Sequence, residues 1–350
     1  YLIIILSHNK TIVKRAKNMK RTVKCAKLYG IGDLRYEDAA FPECGGDEVI
    51  VQVKSCGICG SDLGRVYVKG TYTFPTVIGH EFSGRVVVDP LERLTNENVC
   101  VFPLLPCFKC KSCKNGDYAT CENYDYYGSR RDGGMTEYIA VKRWNIVKMP
   151  PNLSYDEGAM CEPVSVARHA VGKLEISKGE TLFISGAGPI GLIAGQWAVL
   201  FGAKRVYYTD IDNRKLEFAK TLGFYEYESG IAADCALEGT GYSDALQKCL
   251  EAVKPHGRMV LMGNPAGEIT MSQNTYWHIL RKELCINGTW NSSYNDTVND
   301  WRESIKAMAD GRLNVKALIT HKFPLSECNA AFEMMKNKTE FYNKVILNMN

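Results

Sequence analysis

The sequence predicts an α/β fold in two parts: a β-rich first half, and behind it a doubly wound parallel sheet. Three observations carry that reading. Residues 22–150 break into short apolar runs separated by Gly, Pro and Cys, among them "EVIVQV", "GRVVV", "VCVFPL" and "EYIAV", the texture of a β-rich domain. From about residue 165, apolar runs of strand length alternate with stretches of helical period, as in a parallel sheet with helical crossovers. Between the first such strand and the first such helix stands Gly186-Ala187-Gly188-Pro189-Ile190-Gly191.

With 350 residues, 45% hydrophobic and 23% charged, the chain is long enough for two domains. The expected division is a first domain over 19–164, a second over 165–299 and a return to the first over 300–350. Residues 1–18 are expected to lie outside the fold, because "MKRTVKCAKLYG" from Met19 reads like a protein start. The opening "YLIIIL" is too short for a signal h-region and lacks a small-residue cleavage site. A net charge of +4 without clustering does not point to nucleic acid. No apolar run reaches the length of a membrane span. Nine of the fourteen cysteines are scattered singly; isolated cysteines act as small hydrophobes and imply a reducing compartment, so a cytoplasmic location is expected.

The first domain carries the other five. Cys107, Cys110, Cys113 and Cys121 lie in "CFKCKSCKNGDYATC", separated by two, two and seven residues and surrounded by Lys, Gly and polar residues. Zinc takes four thiolates in a tetrahedron, and C-x2-C turns deliver them. An iron–sulfur cluster also uses C-x2-C-x2-C, but here the fourth cysteine comes seven residues later and no proline follows it. Cysteines that bind nothing remain the bland alternative. With all four positions filled by protein, such a zinc holds a lobe together and leaves no place for substrate.

The fifth is Cys59, in the glycine-flanked turn "SCGICGSD"; "GHEFSG" offers His80 and Glu81, and "CEPVSV" offers Glu162. Each alone is unconvincing, since a lone His is more often a packed polar residue, and neighbours within one strand point to opposite faces. Together a thiolate, an imidazole and a carboxylate make an open mixed-ligand zinc site with room for water or substrate.

In the second domain "TLFISGAG" reads as a strand, "PIGLIAGQWAVLFG" as a helix ended by Gly202, and "RVYYTD" as the next strand. The helix "NRKLEFAKTLG", strand "DCALEGTG", helix "SDALQKCLEAVKP" and strand "GRMVLMG" follow. In this context G-x-G-x-x-G is a dinucleotide motif: Gly186 for the tight turn, Gly188 for close approach of the pyrophosphate, Gly191 for helix–strand packing. The phosphates would sit at the N-terminus of the helix opened by Pro189 and Ile190. Asp210 ends the second strand, nineteen residues past Gly191, where a carboxylate binds ribose hydroxyls and repels a 2′-phosphate, favouring NAD over NADP. Lys215, one turn on, could reach the same ribose or belong to a solvated helix face.

These motifs, in this order, resemble the zinc-dependent medium-chain alcohol/polyol dehydrogenase family. The resemblance covers nearly everything after Met19: the C-G-x-C-G-S-D turn, G-H-E, the four-cysteine lobe, E-P-x-S-V and the cofactor glycines. "VFPLLPCFKC", "YYGSRRDGGMTEYI" and "LRKELCINGTW" are similar to its galactitol-1-phosphate dehydrogenase branch. The resemblance implies a GroES-like catalytic domain joined to a Rossmann domain, and an NAD-dependent enzyme with one catalytic and one structural zinc. It implies that Cys59, His80 and Glu81 hold catalytic zinc, that Glu162 is a fourth ligand or exchanges with one, and that Ser61 starts a proton relay, although a serine here also suits a plain turn. Asp62 is expected to orient the zinc ligands' neighbours. The implied substrate is a polyol or polyol phosphate and the implied assembly a homodimer or homotetramer. Arg130 and Arg131 are candidates for a substrate phosphate, with Lys69 a weaker one; the bland reading is two surface arginines, one paired with Asp132.

The chain departs from the family in three places. Gly64 stands where many relatives end the relay with a histidine, so the proton is expected to leave through water. "RVVVDPLERLTNENVC" is shorter than its counterpart and lacks glycine. Only "SGIAA" separates "YEYE" from "DCALEGTG", too little for a helical crossover, so "YEYE" is expected at a sheet edge or outside it. Competing expectations are a sorbitol-, butanediol- or threonine-type dehydrogenase, a zinc-free quinone reductase, which would lack both metal sites, and a non-catalytic relative, which would lack the ligands.

Overall fold

The structure, a computed structural model, describes residues 22–349; the expectation for residues 1–18 lies outside them. The chain divides into two compact units, one running to Glu162 and resuming at Lys316, the other spanning Pro163–Val315.

The first unit is built on a seven-stranded sheet. Its strand order is Ile146–Lys148, Asn98–Val101, Glu81–Val88, Glu48–Ile58, Lys344–Asn348 and Ile319–Pro324, with Tyr138–Lys142 pairing the Glu48–Ile58 strand as well. Glu48–Ile58 runs antiparallel to both Glu81–Val88 and Lys344–Asn348. The end of that central strand therefore lies beside the starts of its two neighbours, with Gly57 opposite Glu81 and Ile58 opposite Val345. A core of Val49, Val51, Val53, Phe82, Val99, Phe332 and Val345 lies against this sheet. The glycine-free stretch after "GHEFSG" still makes a hairpin: Asp89 accepts from the N–H groups of Leu91 and Leu94 at 2.9 and 2.7 Å and closes the turn.

The second unit carries a six-stranded parallel sheet in the order Tyr225–Glu226, Arg205–Thr209, Thr181–Ser185, Ala233–Glu238, Val253–Leu261 and Cys285–Gly288. Pro189 opens the helix Pro189–Phe201 and Gly202, at φ 115°, ends it, each at the position its backbone suits. The helix expected over "SDALQKCLEAVKP" ends earlier, at Ala252, and Val253 turns extended. Pro255 cannot donate to a helix and disfavours helical backbone in the residue before it, so "VKP" opens the next strand instead.

No helix follows "YEYE". Tyr225 and Glu226 form a two-residue edge strand on Tyr207 and Tyr208, and the chain returns through a loop. Tyr227 anchors that loop, its ring centre 4.5 Å from that of Phe183 and its hydroxyl donating to the Ile231 carbonyl at 3.0 Å. Omitting the crossover shortens one edge and leaves the remaining five strands paired.

Candidate active site and metal centres

Two strand ends assemble the first site. Cys59 follows Glu48–Ile58, His80 immediately precedes Glu81–Val88, and Glu81 opens it. Because His80 stands outside the strand, the alternation that would separate it from Glu81 does not apply. The ligand atoms of Cys59, His80 and Glu81 all lie within 4.8 Å of one another. Gly57 leaves the space they need: a Cβ there would meet Glu81 Oε2 at 2.2 Å. The donors, one thiolate, one imidazole and one carboxylate, suit a zinc ion with an open position.

The neighbours orient these groups. Asp62, fully buried, faces His80 Nδ1 at 3.3 Å and leaves Nε2 for a metal, the arrangement in which a carboxylate fixes an imidazole ligand. The Asp62 carboxylate accepts from Cys59 N–H at 3.1 Å and from Arg65 at 2.9 Å. Burial opposes its charge, but the attraction of His80 and Arg65 outweighs burial and holds its pKa at about 2. Ser61 accepts from Arg65 Nη1 at 2.9 Å. Gly64 offers no side chain here, and the next residue, Arg65, places a fixed cation on the Ser61 hydroxyl.

Glu162, in the helix Cys161–Gly172, lies outside the three-residue group but is buried and receives a hydrogen bond from Tyr126 Oη at 3.3 Å. Burial pushes its pKa up to about 7, against the pull of His80. Glu81 forms a buried ion pair with Lys344. Sequence reading missed this lysine, and also Arg65 and Tyr126. The available signals were weak: a lysine opening the apolar strand "KVILN", and a basic residue three past Asp62.

The second site is the four-cysteine lobe. Sulfurs 2.3 Å from a central zinc stand about 3.8 Å apart. Cys107 and Cys113 sulfurs are 3.9 Å apart, as are those of Cys110 and Cys121, far beyond a disulfide bond. N–H groups of Lys109 and Cys110 point at Cys107 Sγ from 3.4 Å and draw its pKa down to about 6. Burial pushes Cys113 up to about 12, and a metal would offset that penalty. The lobe fits a structural zinc.

The glycine loop is equally specific. Gly186 has φ 105°, and a Cβ at Gly191 would stand 2.1 Å from the Gly186 carbonyl oxygen. A Cβ at Gly188, by contrast, would meet nothing within 4 Å, so protein packing does not account for that glycine, whereas a ligand lying against the backbone does. Asp210 accepts from the Ala187 and Asp212 N–H groups at 2.8 and 2.9 Å, clamping the loop. Pro189 and Ile190 begin the helix, and no side chain caps it. Lys215 lies half-buried in Asn213–Thr221, while Arg214 is bonded to Asp212 at 3.0 Å.

The two candidate arginines part company. Arg131 bonds Asp125 at 2.7 Å. Asp132, the arginine's partner in the bland reading, instead accepts from Val77 N–H at 2.7 Å. Arg130 lies between two tyrosines, and its Nε is buried without a hydrogen-bond partner. Among the described residues no helix is long and apolar enough to cross a membrane.

Comparison with known proteins is consistent with this geometry. The family described as "Alcohol dehydrogenase GroES-like domain" matches residues 45–151, and that described as "Zinc-binding dehydrogenase" matches 189–310. Galactitol 1-phosphate 5-dehydrogenase of Escherichia coli (strain K12) is 36% identical over 83% of this chain and 90% of its own length. L-threonine 3-dehydrogenase of Legionella pneumophila (strain Corby) is 30% identical over 94% and 100%. The crystal structure of galactitol-1-phosphate dehydrogenase from Escherichia coli superposes with TM-score 0.85 at 33% identity, covering 93% of this chain and 99% of that one.

Proposed function

The chain belongs to the zinc-dependent alcohol dehydrogenase family, and from that premise we propose that it oxidises a secondary hydroxyl of a polyol phosphate, galactitol 1-phosphate to tagatose 6-phosphate, using NAD. One observation carries the dehydrogenase reading: Cys59, His80 and Glu81 converge within 4.8 Å on a donor set that leaves a coordination position open. These three would hold zinc, with Glu162, which feels the charges of His80 and Glu81, as a fourth ligand or one that exchanges. Bound there, zinc supplies a Lewis acid that makes the substrate hydroxyl easier to deprotonate, and NAD supplies the hydride acceptor.

The chain's own residues do the rest. Lys344 balances the Glu81 charge inside the protein, and Asp62 fixes the His80 ring. Ser61 would take the hydroxyl proton, and Arg65 donates to its oxygen, leaving the serine hydrogen free to pass toward water. Cys107, Cys110, Cys113 and Cys121 would hold the structural zinc and with it the lobe. Asp210 clamps the glycine loop and presents negative charge where the adenosine ribose of NAD would lie, which favours NAD over NADP.

Galactitol 1-phosphate is preferred over sorbitol, a diol or threonine because the greater identity is to the galactitol-phosphate enzyme, 36% against 30%. The test is a panel with NAD: kcat/KM for galactitol 1-phosphate, galactitol, sorbitol, butane-2,3-diol and threonine. Sorbitol or the diol turning over as well as the phosphate ester would replace this substrate with an unphosphorylated polyol. Absence of any turnover by the zinc-loaded protein would leave a non-catalytic relative.

A further inference from the structure

We propose that Arg130 alone, and not Arg131, forms a subsite for the substrate's terminal phosphate, with Tyr72 and Tyr124 holding its guanidinium. The inference deepens the polyol-phosphate reading and rests on it for the identity of the ligand.

The Arg130 guanidinium carbon lies 4.0 Å from the Tyr72 ring centre and 4.6 Å from that of Tyr124. Both rings are within cation–π distance of the guanidinium and hold it in place without accepting its N–H groups as an anion would. Nε is buried and meets no acceptor. Among the described residues no carboxylate pairs with Arg130, whereas Arg131 is held by Asp125 at 2.7 Å. A forked donor fixed in orientation and left without an acceptor is suited to a phosphate, which takes two parallel N–H bonds.

The backbone fixes the arrangement. Arg130 N–H donates to the Tyr126 carbonyl at 3.0 Å, and Tyr72 N–H donates to the Ser129 carbonyl at 3.1 Å. The loop itself is seated on the residue before the metal ligands: a Cβ at Gly133 would stand 2.0 Å from the Gly79 carbonyl oxygen. From Arg130 the rings lead back to the reacting centre. Tyr124 is 6.3 Å from Tyr126, and Tyr126 is 5.8 Å from His80, centre to centre. A phosphate at the far end of a polyol chain lies several bonds from the reacting carbon, which suits a cation on the same side of the site but beyond its first ring of residues. Lys69, exposed and without a carboxylate partner among the described residues, ends the segment that leads into Tyr72. Its Cε passes 3.8 Å from where a Gly64 Cβ would be, so it adds a second positive charge near the Cys59 turn, as a dianion requires.

The experiment compares the intact zinc-loaded protein with Arg130→Ala, Arg130→Lys and Arg131→Ala. Two quantities are read: the ratio of kcat/KM for galactitol 1-phosphate to that for galactitol, and the inhibition constant of inorganic phosphate against galactitol. Arg130→Ala should lower the ratio ten- to hundredfold, mostly through KM, and raise the phosphate constant at least tenfold. Arg130→Lys should recover part of both, and guards against a fold disturbed by emptying the space between the tyrosines. Arg131→Ala should leave the ratio in place. An unchanged ratio and phosphate constant in Arg130→Ala would overturn the subsite, as would a larger effect of Arg131→Ala. Arg130-dependent preference for an aldonate over galactitol 1-phosphate would overturn phosphate in favour of a carboxylate. A wild type that shows no preference for the phosphate ester, yet loses phosphate inhibition in Arg130→Ala, would overturn the proposed substrate while sustaining the subsite.

Discussion

Asp210→Ala tests the cofactor site at two levels, because this carboxylate clamps the glycine loop and is proposed to meet the cofactor ribose. Its oxygens accept from the N–H groups of Ala187 and Asp212, and its charge faces the proposed ribose position. Ala187 is fully buried, so its N–H, once orphaned, costs about 1–3 kcal/mol; Asp212 is half-exposed, and water can replace its lost acceptor. At about 2–4 °C per kcal/mol for a chain of this size class, the melting temperature should fall by about 2–12 °C. Loss of a charged acceptor for the ribose removes about 1.5–3 kcal/mol, or about ten- to a hundredfold in kcat/KM for NAD. NADP should lose less, since repulsion of its 2′-phosphate disappears at the same time. Asp210→Asn separates the duties: it keeps an acceptor for Ala187 and so most of the stability, but loses the charge. The assays are thermal melts and steady-state kinetics with both cofactors. Equal kcat/KM for NAD and NADP in the unmutated protein would refute the specificity argument, and an unchanged melt in Asp210→Ala would refute the clamp.

Metal analysis should find two zinc ions per chain; Cys107→Ser should lose one and lower the melting temperature, while Cys59→Ser should abolish turnover with little change in the melt. A single zinc in the intact protein would refute the reading of the four-cysteine lobe. Lys344→Met should destabilise by about 3–5 kcal/mol, the cost of leaving a buried carboxylate unpaired, and Glu81→Gln in the same chain should restore much of it in a double-mutant cycle; additive losses would show that the pair is not coupled. In zinc-free protein Asp62, held at about 2 from an ordinary 3.8, contributes about 2 kcal/mol above pH 4 that is lost as pH falls toward 2. Asp62→Asn should flatten acid unfolding in that window, and an unaltered profile would refute the His80–Asp62–Arg65 arrangement.

The parts legible in the sequence were those set by local spacing. Four cysteines within fifteen residues and a glycine loop between strand and helix need no knowledge of distant contacts. Cys59, His80 and Glu81 were also visible, each in its short motif. Lys344 was not: it is 263 residues from Glu81, and the two meet only because a late strand pairs antiparallel with the one that ends at Ile58. The difference between Arg130 and Arg131 was hidden for another reason. Adjacent identical residues look equivalent until the turn at 128–131 gives one to Asp125 and the other to two tyrosine rings. The helix overrun at Val253 was a choice between periodicity and proline, which the proline decided.

The truncated edge at Tyr225–Glu226 also shows where this protein can be lengthened. The strand is tied down by its two pairings, by Lys220 to Glu226 at 2.8 Å, by the Tyr207–Tyr225 contact at 5.7 Å and by Arg205, 5.6 Å over the Tyr225 ring. Just beyond it Ser229 and Gly230 are exposed, and Gly230 has open space around its Cα. Sequence added between them would grow outward from the margin of the sheet, while the glycines proposed to meet the cofactor follow Thr181–Ser185 at its middle. A missing crossover is thus a ready splice point: a reporter peptide or a whole small domain could be grafted at 229–230 without threading through the core or displacing a residue proposed here to bind metal or cofactor.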